Sequence, residues 1–517
     1  MKSSPDLFQL IKSLTKSEKR YFKLFASLQK GEKKYLKLFN SIDKQVEYSE
    51  ENIRKEFNHE KFINHLPDRK NHLYYLILKI LRVYDRDQSV DVELKGLLHN
   101  VKLLFDKGLY NQCEKIISKT RSLAEKYEKH LVLLELSGWE FELMRVQSYQ
   151  GKPEKETEKF YKDVFRVKNK YSNEKEYEHL LIRMFARIHQ QGYTRKDADL
   201  KLYQDIINNP LLPVDMPVGQ VENKTMTYQA LSHYYNIFTA YYFMLNDFAR
   251  AYSYGQKSVT LMEEHPHLLE ERLQEYVAAL DNVIICQYSL NKYKEMLLTI
   301  KKLKEINTKS RTIKNHIFFI ANNMELHTYI KRGAFAQGIK LITSIEGDLN
   351  KIGLSKSTKV NLQYIIAYMY FGIGNYREAR NYLNEIINDT TVDLRTDIYC
   401  MTRVMAILVH YELGHDELLE YMEKSAHRYL EKKMRLYKVE TSILDFMRKK
   451  IPKISNGKDL TAAFKELRKE LEEIMKDPFE TKVLDYFDFI SWLESKIQNR
   501  PFADIIKEKL KENNVAP

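Results

Sequence analysis

Eight turn residues recur along this chain at nearly even intervals. Gly108, Gly151, Gly192, Asn246, Asn291, Gly333, Gly374 and Gly414 stand 43, 41, 54, 45, 42, 41 and 40 residues apart. Gly and Asn tolerate the left-handed backbone that closes a helix. One pattern returns around them: an apolar run, the turn residue, an aromatic two positions later, and a small residue three after that. The clearest copy is QYIIAYMYFGIGNYREARNYLNEIIND over 363–389. Tyr110, Phe248, Tyr293, Phe335 and Tyr376 are the aromatics, and Cys113, Ala251, Met296, Gly338 and Ala379 follow them. Four of those five are small, which lets two helices approach closely. Cys113 therefore reads as a small buried residue rather than a reactive thiol. Two copies depart from the pattern: Pro153 replaces the aromatic after Gly151, and Tyr193 directly follows Gly192. A period near 41 marks repeated helical hairpins, none of which can bury its apolar face alone.

Composition agrees with an all-α chain. Gly and Pro together number 16 + 11 = 27 of 517 residues, and no Pro occurs between Pro266 and Pro452. That is about 5%, against roughly 12% for an average chain. Collagen-like, linker-rich and turn-rich β architectures are excluded. The only internal Pro-rich stretch, 208–224 with Pro210, Pro213 and Pro217, reads as a long loop between hairpins. Cys113, Cys286 and Cys400 are far apart and odd in number, so neither a disulfide framework nor a zinc spacing follows. No run of 18 apolar residues occurs, and the N-terminus meets charge too soon for a secretory leader. A cytoplasmic protein with no membrane contact is expected.

Residues 1–90 read as a basic N-terminal helical domain. The whole chain carries a formal charge of +13, and these residues hold 19 Lys+Arg against 12 Asp+Glu. KSEKRYFKLFASL (16–28) recurs as KGEKKYLKLFNSI (30–42), which places Tyr21, Leu24, Phe25, Leu28, Tyr35, Leu38, Phe39 and Ile42 on one stripe. Thr15 with Glu18 forms a capping-box pattern, Ser49 with Asn52 starts a helix, and Asp68 is placed to cap 68–84. Tyr74, Tyr75 and Leu76 are expected in the core. Lys19, Arg20, Lys23, Lys33, Lys34 and Lys37 form a basic patch suited to phosphate contacts, which position without reading sequence.

Residues 451–517 read as C-terminal helices that seal the last apolar face of the repeats, which occupy 91–450. Asp459 is placed to cap one helix, and Pro478 ends it. Phe479, Val483, Tyr486, Phe487, Ile490, Leu493 and Ile497 make a helical stripe. Tyr486, Phe487, Phe489 and Trp492 wrap more than one face, so part of this cluster is a candidate docking surface. No HExxH, CxxC, Walker loop or GxGxxG is present, so a non-enzyme with no metal or cofactor is expected.

The GNYREA-type turn, with its aromatic and following small residue, resembles the tetratricopeptide repeat family over roughly 91–430. The period is longer than the family's usual 34, and the first-helix Trp–Leu–Gly signature is largely missing. The resemblance implies a right-handed α-solenoid of stacked hairpins whose concave groove binds a peptide or protein. Aligning the repeats on the turn residue then points Lys102, Arg145, His189, Asn236, Asp281, Asn323, His327, Tyr364 and Tyr368 inward. Asn can hold a peptide unit through both its donor and its acceptor. Tyr offers an apolar ring with one polar tip. The Lys/Asn carboxylate-clamp pattern of some chaperone-binding members is not reproduced. As an alternative, the layout resembles bacterial peptide-sensing regulators, with the basic N-terminal domain contacting nucleic acid or an effector protein.

Overall fold

The structure is a computed structural model that describes residues 5–28, 33–84, 89–148, 154–191, 197–214, 226–349, 352, 354–389, 395–454 and 456–512. Among these residues all regular secondary structure is helical. Gly151, Pro153, Gly192, Tyr193 and Pro217 lie outside the described residues. The chain divides into two compact units, 1–168 and 169–517.

The first unit begins with α1 (Asp6–Ser13), α2 (Lys16–Leu28), α3 (Lys33–Lys44), α4 (Glu50–Glu56) and α5 (Leu66–Tyr84). The capping box forms: Thr15 N–H donates to Glu18 Oε2 at 2.6 Å, and Glu18 N–H donates to Thr15 Oγ1 at 3.2 Å. Ser49 Oγ likewise accepts from Asn52 N–H at 3.2 Å. Asp68 does not cap α5, which already starts at Leu66. The expected stripe is turned on α2. Phe22 and Ala26 are buried while Leu24 is 59% exposed, because Phe22 stacks on Phe39 with centroids 4.4 Å apart. Leu38, Phe39 and Ile42 keep the core side of α3. Tyr75 is exposed rather than in the core, since Leu73, Leu76, Ile77 and Ile80 supply the buried face of α5.

Three helices follow in this unit, α6 (Val90–Asp106), α7 (Tyr110–Lys126) and α8 (His130–Val146), and then α9 (Glu154–Gln191), within which the two units divide. Cys113 is fully buried against α6. Its Sγ donates to the Val101 carbonyl at 3.5 Å, and burial raises the thiol pKa.

The second unit contains α10 (Asp197–Ile207) and then helices joined by tight turns. These are α11 (Tyr228–Met244) with α12 (Phe248–Glu263), the short α13 (Pro266–Glu271), and α14 (Leu273–Ser289) with α15 (Tyr293–Lys304). Next come α16 (Arg311–Lys331) with α17 (Phe335–Leu349), α18 (Lys356–Gly372) with α19 (Tyr376–Asn388), and α20 (Thr396–Glu412) with α21 (Asp416–Lys432). Every described turn residue of the sequence pattern is left-handed: Gly108 at φ 71°, Asn246 at 64°, Asn291 at 57°, Gly333 at 61°, Gly374 at 78° and Gly414 at 71°. At four of these turns the following aromatic packs edge-on against one five residues earlier. Phe105 meets Tyr110, Phe243 meets Phe248, Tyr288 meets Tyr293 and Phe371 meets Tyr376, with centroids 5.2–6.4 Å apart. Cys113, Ala251, Met296 and Ala379 are buried where the paired helices touch.

Each helix of this series packs on its neighbour in the chain. The first helices α11, α14, α16, α18 and α20 also pack on one another in turn. They form a layer of their own, with α12, α15, α17, α19 and α21 behind it.

After α22 (Lys438–Asp445) and α23 (Gly457–Ile474), the chain continues as α24 (Pro478–Thr481), a 3-10 turn (Lys482–Asp485), α25 (Phe489–Gln498) and α26 (Phe502–Glu512). Asn456, not Asp459, caps α23: its Oδ1 accepts from Asp459 N–H at 2.9 Å. The expected long amphipathic helix is broken at 486–488. The break turns Tyr486, Phe487, Phe489 and Trp492 all inward, each at most 5% exposed. They are core residues of the second unit, and the cluster is not a docking surface.

Candidate functional site

The layer of first helices is partly covered by the chain's own C-terminal segment. Asn246 Nδ2 donates to the Pro478 carbonyl at 3.3 Å, and Lys482 Nζ donates to the Met244 carbonyl at 2.9 Å. Further along, the Tyr364 hydroxyl donates to the Tyr486 carbonyl at 3.2 Å, and Asp488 N–H donates to the Tyr368 hydroxyl at 3.1 Å. The Phe487 ring lies 4.9 Å from Tyr368 and 5.0 Å from Phe371. Trp492 Nε1 donates to Glu412 Oε1 at 2.7 Å, and Phe502 stacks on Phe335 at 5.7 Å. Tyr364 and Tyr368 are thus covered by residues 486–488 and closed to any second peptide. Alignment of turns gives each residue's side of its helix, but it cannot reveal a segment more than a hundred residues away lying on that side.

Beside this cover, the start of α20 meets the end of α9. Arg395 N–H donates to the His189 carbonyl, and Thr396 Oγ1 donates to the Gln190 carbonyl, both at 3.2 Å. Arg395 takes a left-handed backbone at φ 55° just before α20. Its guanidinium donates twice to Asp397, Nε to Oδ1 at 3.0 Å and Nη2 to Oδ2 at 2.9 Å. A cavity of about 230 Å3 opens beside this junction. Phe185, Ile188, Phe243, Met244, Ile285 and Cys286 give it an apolar lining, with Ala240 between them. Its polar groups are Thr239, Asn282, His189 and Arg395.

His189 is therefore the one expected groove residue that lines this cavity. Burial and then the Arg395 cation lower its pKa. His327 on α16 is pushed down to about 4 by the same two causes. Both shifts favour the uncharged ring. Asp281 is half-buried on α14, and burial raises its carboxyl to about 7. Asn236 and Asn323 are half-buried, and Asn323 Oδ1 is shielded from solvent with no hydrogen-bond partner among the described residues. Asn282, which lines the cavity, lies one residue beyond Asp281. Thr239 and Ala240 lie one helical turn beyond Asn236. The turn-based register was close, and the i+3/i+4 continuation of the same stripe would have reached them.

In the first unit, Lys102 and Arg145 are exposed, each paired within its own helix: Lys102 with Asp106 and Arg145 with Glu142, both at 2.6 Å. The basic patch is partly neutralised. Lys19 pairs with Asp43 at 2.6 Å, Lys37 pairs with Glu60 at 3.1 Å, and Lys23 Nζ lies 5.6 Å above the Phe39 ring. Arg20 and Lys34 are exposed, and the side chain of Lys33 lies outside the described residues.

Among the described residues, no group of three His, Cys, Asp or Glu side chains could hold a metal ion. No helix there is long and apolar enough to cross a membrane. The sequence matches no model of a known protein family and no curated protein.

Proposed function

We propose that residues 169–517 form a right-handed, tetratricopeptide-like stack of helical hairpins whose first-helix layer is a concave binding face for a peptide or protein. The protein acts as a non-catalytic cytoplasmic scaffold and carries no cofactor. One observation supports this most directly: that layer already holds polypeptide, its own C-terminal segment. Side chains of the layer meet main-chain atoms of the segment at Pro478, Tyr486 and Asp488, while Phe487 fills an apolar slot. Solenoids present extended concave binding surfaces, and in strand-addition complexes main-chain contacts supply affinity while side-chain pockets supply specificity. The ligand would lie along α11, α14 and α16, since α18 is occupied.

The test is a peptide array probed with the full-length protein and with Asn236→Ala/Asn323→Ala. Selective peptides that the double variant binds at least about fivefold more weakly support the reading. Equal binding by both proteins, or none by either, rejects it. The nucleic-acid alternative has less behind it, because Lys19 and Lys37 are already paired with carboxylates. Salt-dependent DNA binding lost on Arg20→Ala/Lys34→Ala would restore it.

A further inference from the structure

The cavity beside Arg395 has the makings of a specificity pocket. Its lining comes from three elements far apart in sequence: Phe185 and Ile188 on α9, Ala240, Phe243 and Met244 on α11, and Ile285 and Cys286 on α14. An apolar cavity of about 150 Å3 is large enough to take up benzene. At about 230 Å3 this one has room for an aromatic ring or a branched aliphatic side chain, with some space left beside it. Two polar groups of the lining, the Asn282 carboxamide and the His189 ring, make no side-chain hydrogen bond to a described residue, and the Arg395 cation lies near the second. A carboxamide presents one acceptor and two donors, which match the N–H and C=O of a peptide unit.

The cavity is also continuous with a contact already made to polypeptide. Met244 is one of the lining residues, and its carbonyl accepts a hydrogen bond from the Lys482 ammonium of the C-terminal segment. The way that segment is held shows how this layer grips a chain, with a ring seated in a slot and a polar side chain on the adjacent main chain. Phe487 with Tyr364 and Tyr368 is that arrangement, and the slot beside Asn282 likewise sets an apolar lining next to a polar side chain.

We infer that this cavity seats one large apolar side chain of the bound peptide, aromatic or branched aliphatic, while Asn282 holds the peptide unit next to it. The inference rests on the peptide-binding function proposed above and adds the side-chain class that the site selects.

The experiment uses the full-length protein and small probes read by ligand-observed NMR. N-acetyl-phenylalaninamide carries both ring and peptide units; toluene carries the ring alone; N-acetyl-aspartamide lacks the apolar group. The first two should bind and the third should not. Ala240→Leu fills the cavity and should abolish both signals, with Ile285→Phe as a second filling variant should the first not fold. Asn282→Ala should weaken the amide probe about fivefold and leave toluene unchanged. The peptide array is then repeated with the filled variant. Loss of those peptides that carry Phe, Tyr, Leu or Ile at one fixed position supports the seat. Peptides bound equally by the wild type and the filled variant overturn the seat and leave the peptide-binding reading standing. An array on which the wild type binds nothing overturns that reading, and the peptide seat with it. Binding of toluene unaffected by either filling variant also overturns the seat.

Discussion

The Tyr486 hydroxyl donates to Asp397 Oδ2 at 2.7 Å, joining the C-terminal segment to the first turn of α20. The same carboxylate takes two hydrogen bonds from Arg395, the residue at the edge of the cavity. Asp397 is 4% exposed. Burial raises its pKa, but Arg395 and Tyr486 outweigh that and hold it below the ordinary carboxylate value. Tyr486→Phe removes one donor from a buried anion and should cost about 1.5–3 kcal/mol, read by chemical denaturation. Because the folded pKa is depressed, the stabilisation from Asp397 is present above the unfolded value of 3.8 and lost as pH falls through the folded one. Wild type and variant should therefore converge in acid. A variant as stable as the wild type at pH 7 would mean that this hydrogen bond is not made.

Two glycines separate a rigid neighbour from a yielding one. A Cβ on Gly372 would lie 2.3–2.4 Å from three ring atoms of Phe335, and that ring is stacked on Phe502. A Cβ on Gly338 would lie 2.5 Å from the sulfur of Met369, near the free end of a flexible side chain. Gly372→Ala should destabilise by about 1–3 kcal/mol despite the gain in helix propensity. Gly338→Ala should be close to neutral. Thermal denaturation of the two variants decides, and an equal effect at both sites would refute the contrast.

Asp281 should leave a mark on the pH dependence of stability. Burial raises its carboxyl from 3.8 to about 7, so between those values the folded state binds the extra proton. The contribution of Asp281 is then favourable in acid and declines as pH rises from about 4 to 7. Asp281→Asn should be nearly neutral at pH 4 and stabilising at pH 8. His327 works in the opposite sense. Its pKa falls from 6.5 to about 4, so the unfolded state binds more protons across that window and stability rises with pH. Relative to wild type, the denaturation midpoint of Asp281→Asn should rise with increasing pH and that of His327→Gln with decreasing pH, and curves parallel to wild type would exclude both shifts.

Glu423 on α21 is fully buried, and neither carboxylate oxygen accepts a hydrogen bond from a described residue. The Arg448 guanidinium is 3.5 Å away, and burial outweighs it, raising the carboxyl above 4.5. A buried, weakly paired charge destabilises the fold. Glu423→Gln should add on the order of 1 kcal/mol at pH 8, a gain that shrinks as pH falls and the acid takes up its proton. A loss of stability at pH 8 would show instead that the ion pair with Arg448 holds the fold.

Local chemistry carried much of the fold into the sequence. The left-handed turn at Gly374 follows from the residue type, the partner of Tyr376 from its distance to Phe371, and the capping box from Thr15 and Glu18. These are interactions over a few residues, and the side chains alone determine them. Misplacements arose where a choice between faces depended on a distant partner. Leu24 and Phe22 are equally apolar, and only the stacking of Phe22 on Phe39 turns α2.

Of the residues expected to point inward, His189 lines the cavity, Lys102 and Arg145 are paired on the surface of the first unit, and Tyr364 and Tyr368 are covered by the C-terminal segment. Arg395 had no signal, since it lies outside any helical stripe and enters the site through a left-handed residue before α20. By itself the sequence determined that this chain is helical and that six of its turns close at Gly or Asn. Tertiary structure alone decided that residues 478–502 lie on the first-helix layer at Tyr364 and Tyr368 and that a cavity remains between α9, α11 and α14. The physical reason is range: turns and caps are fixed by neighbours in sequence, whereas occupancy of a shared face depends on which distant segment buries the most apolar surface there.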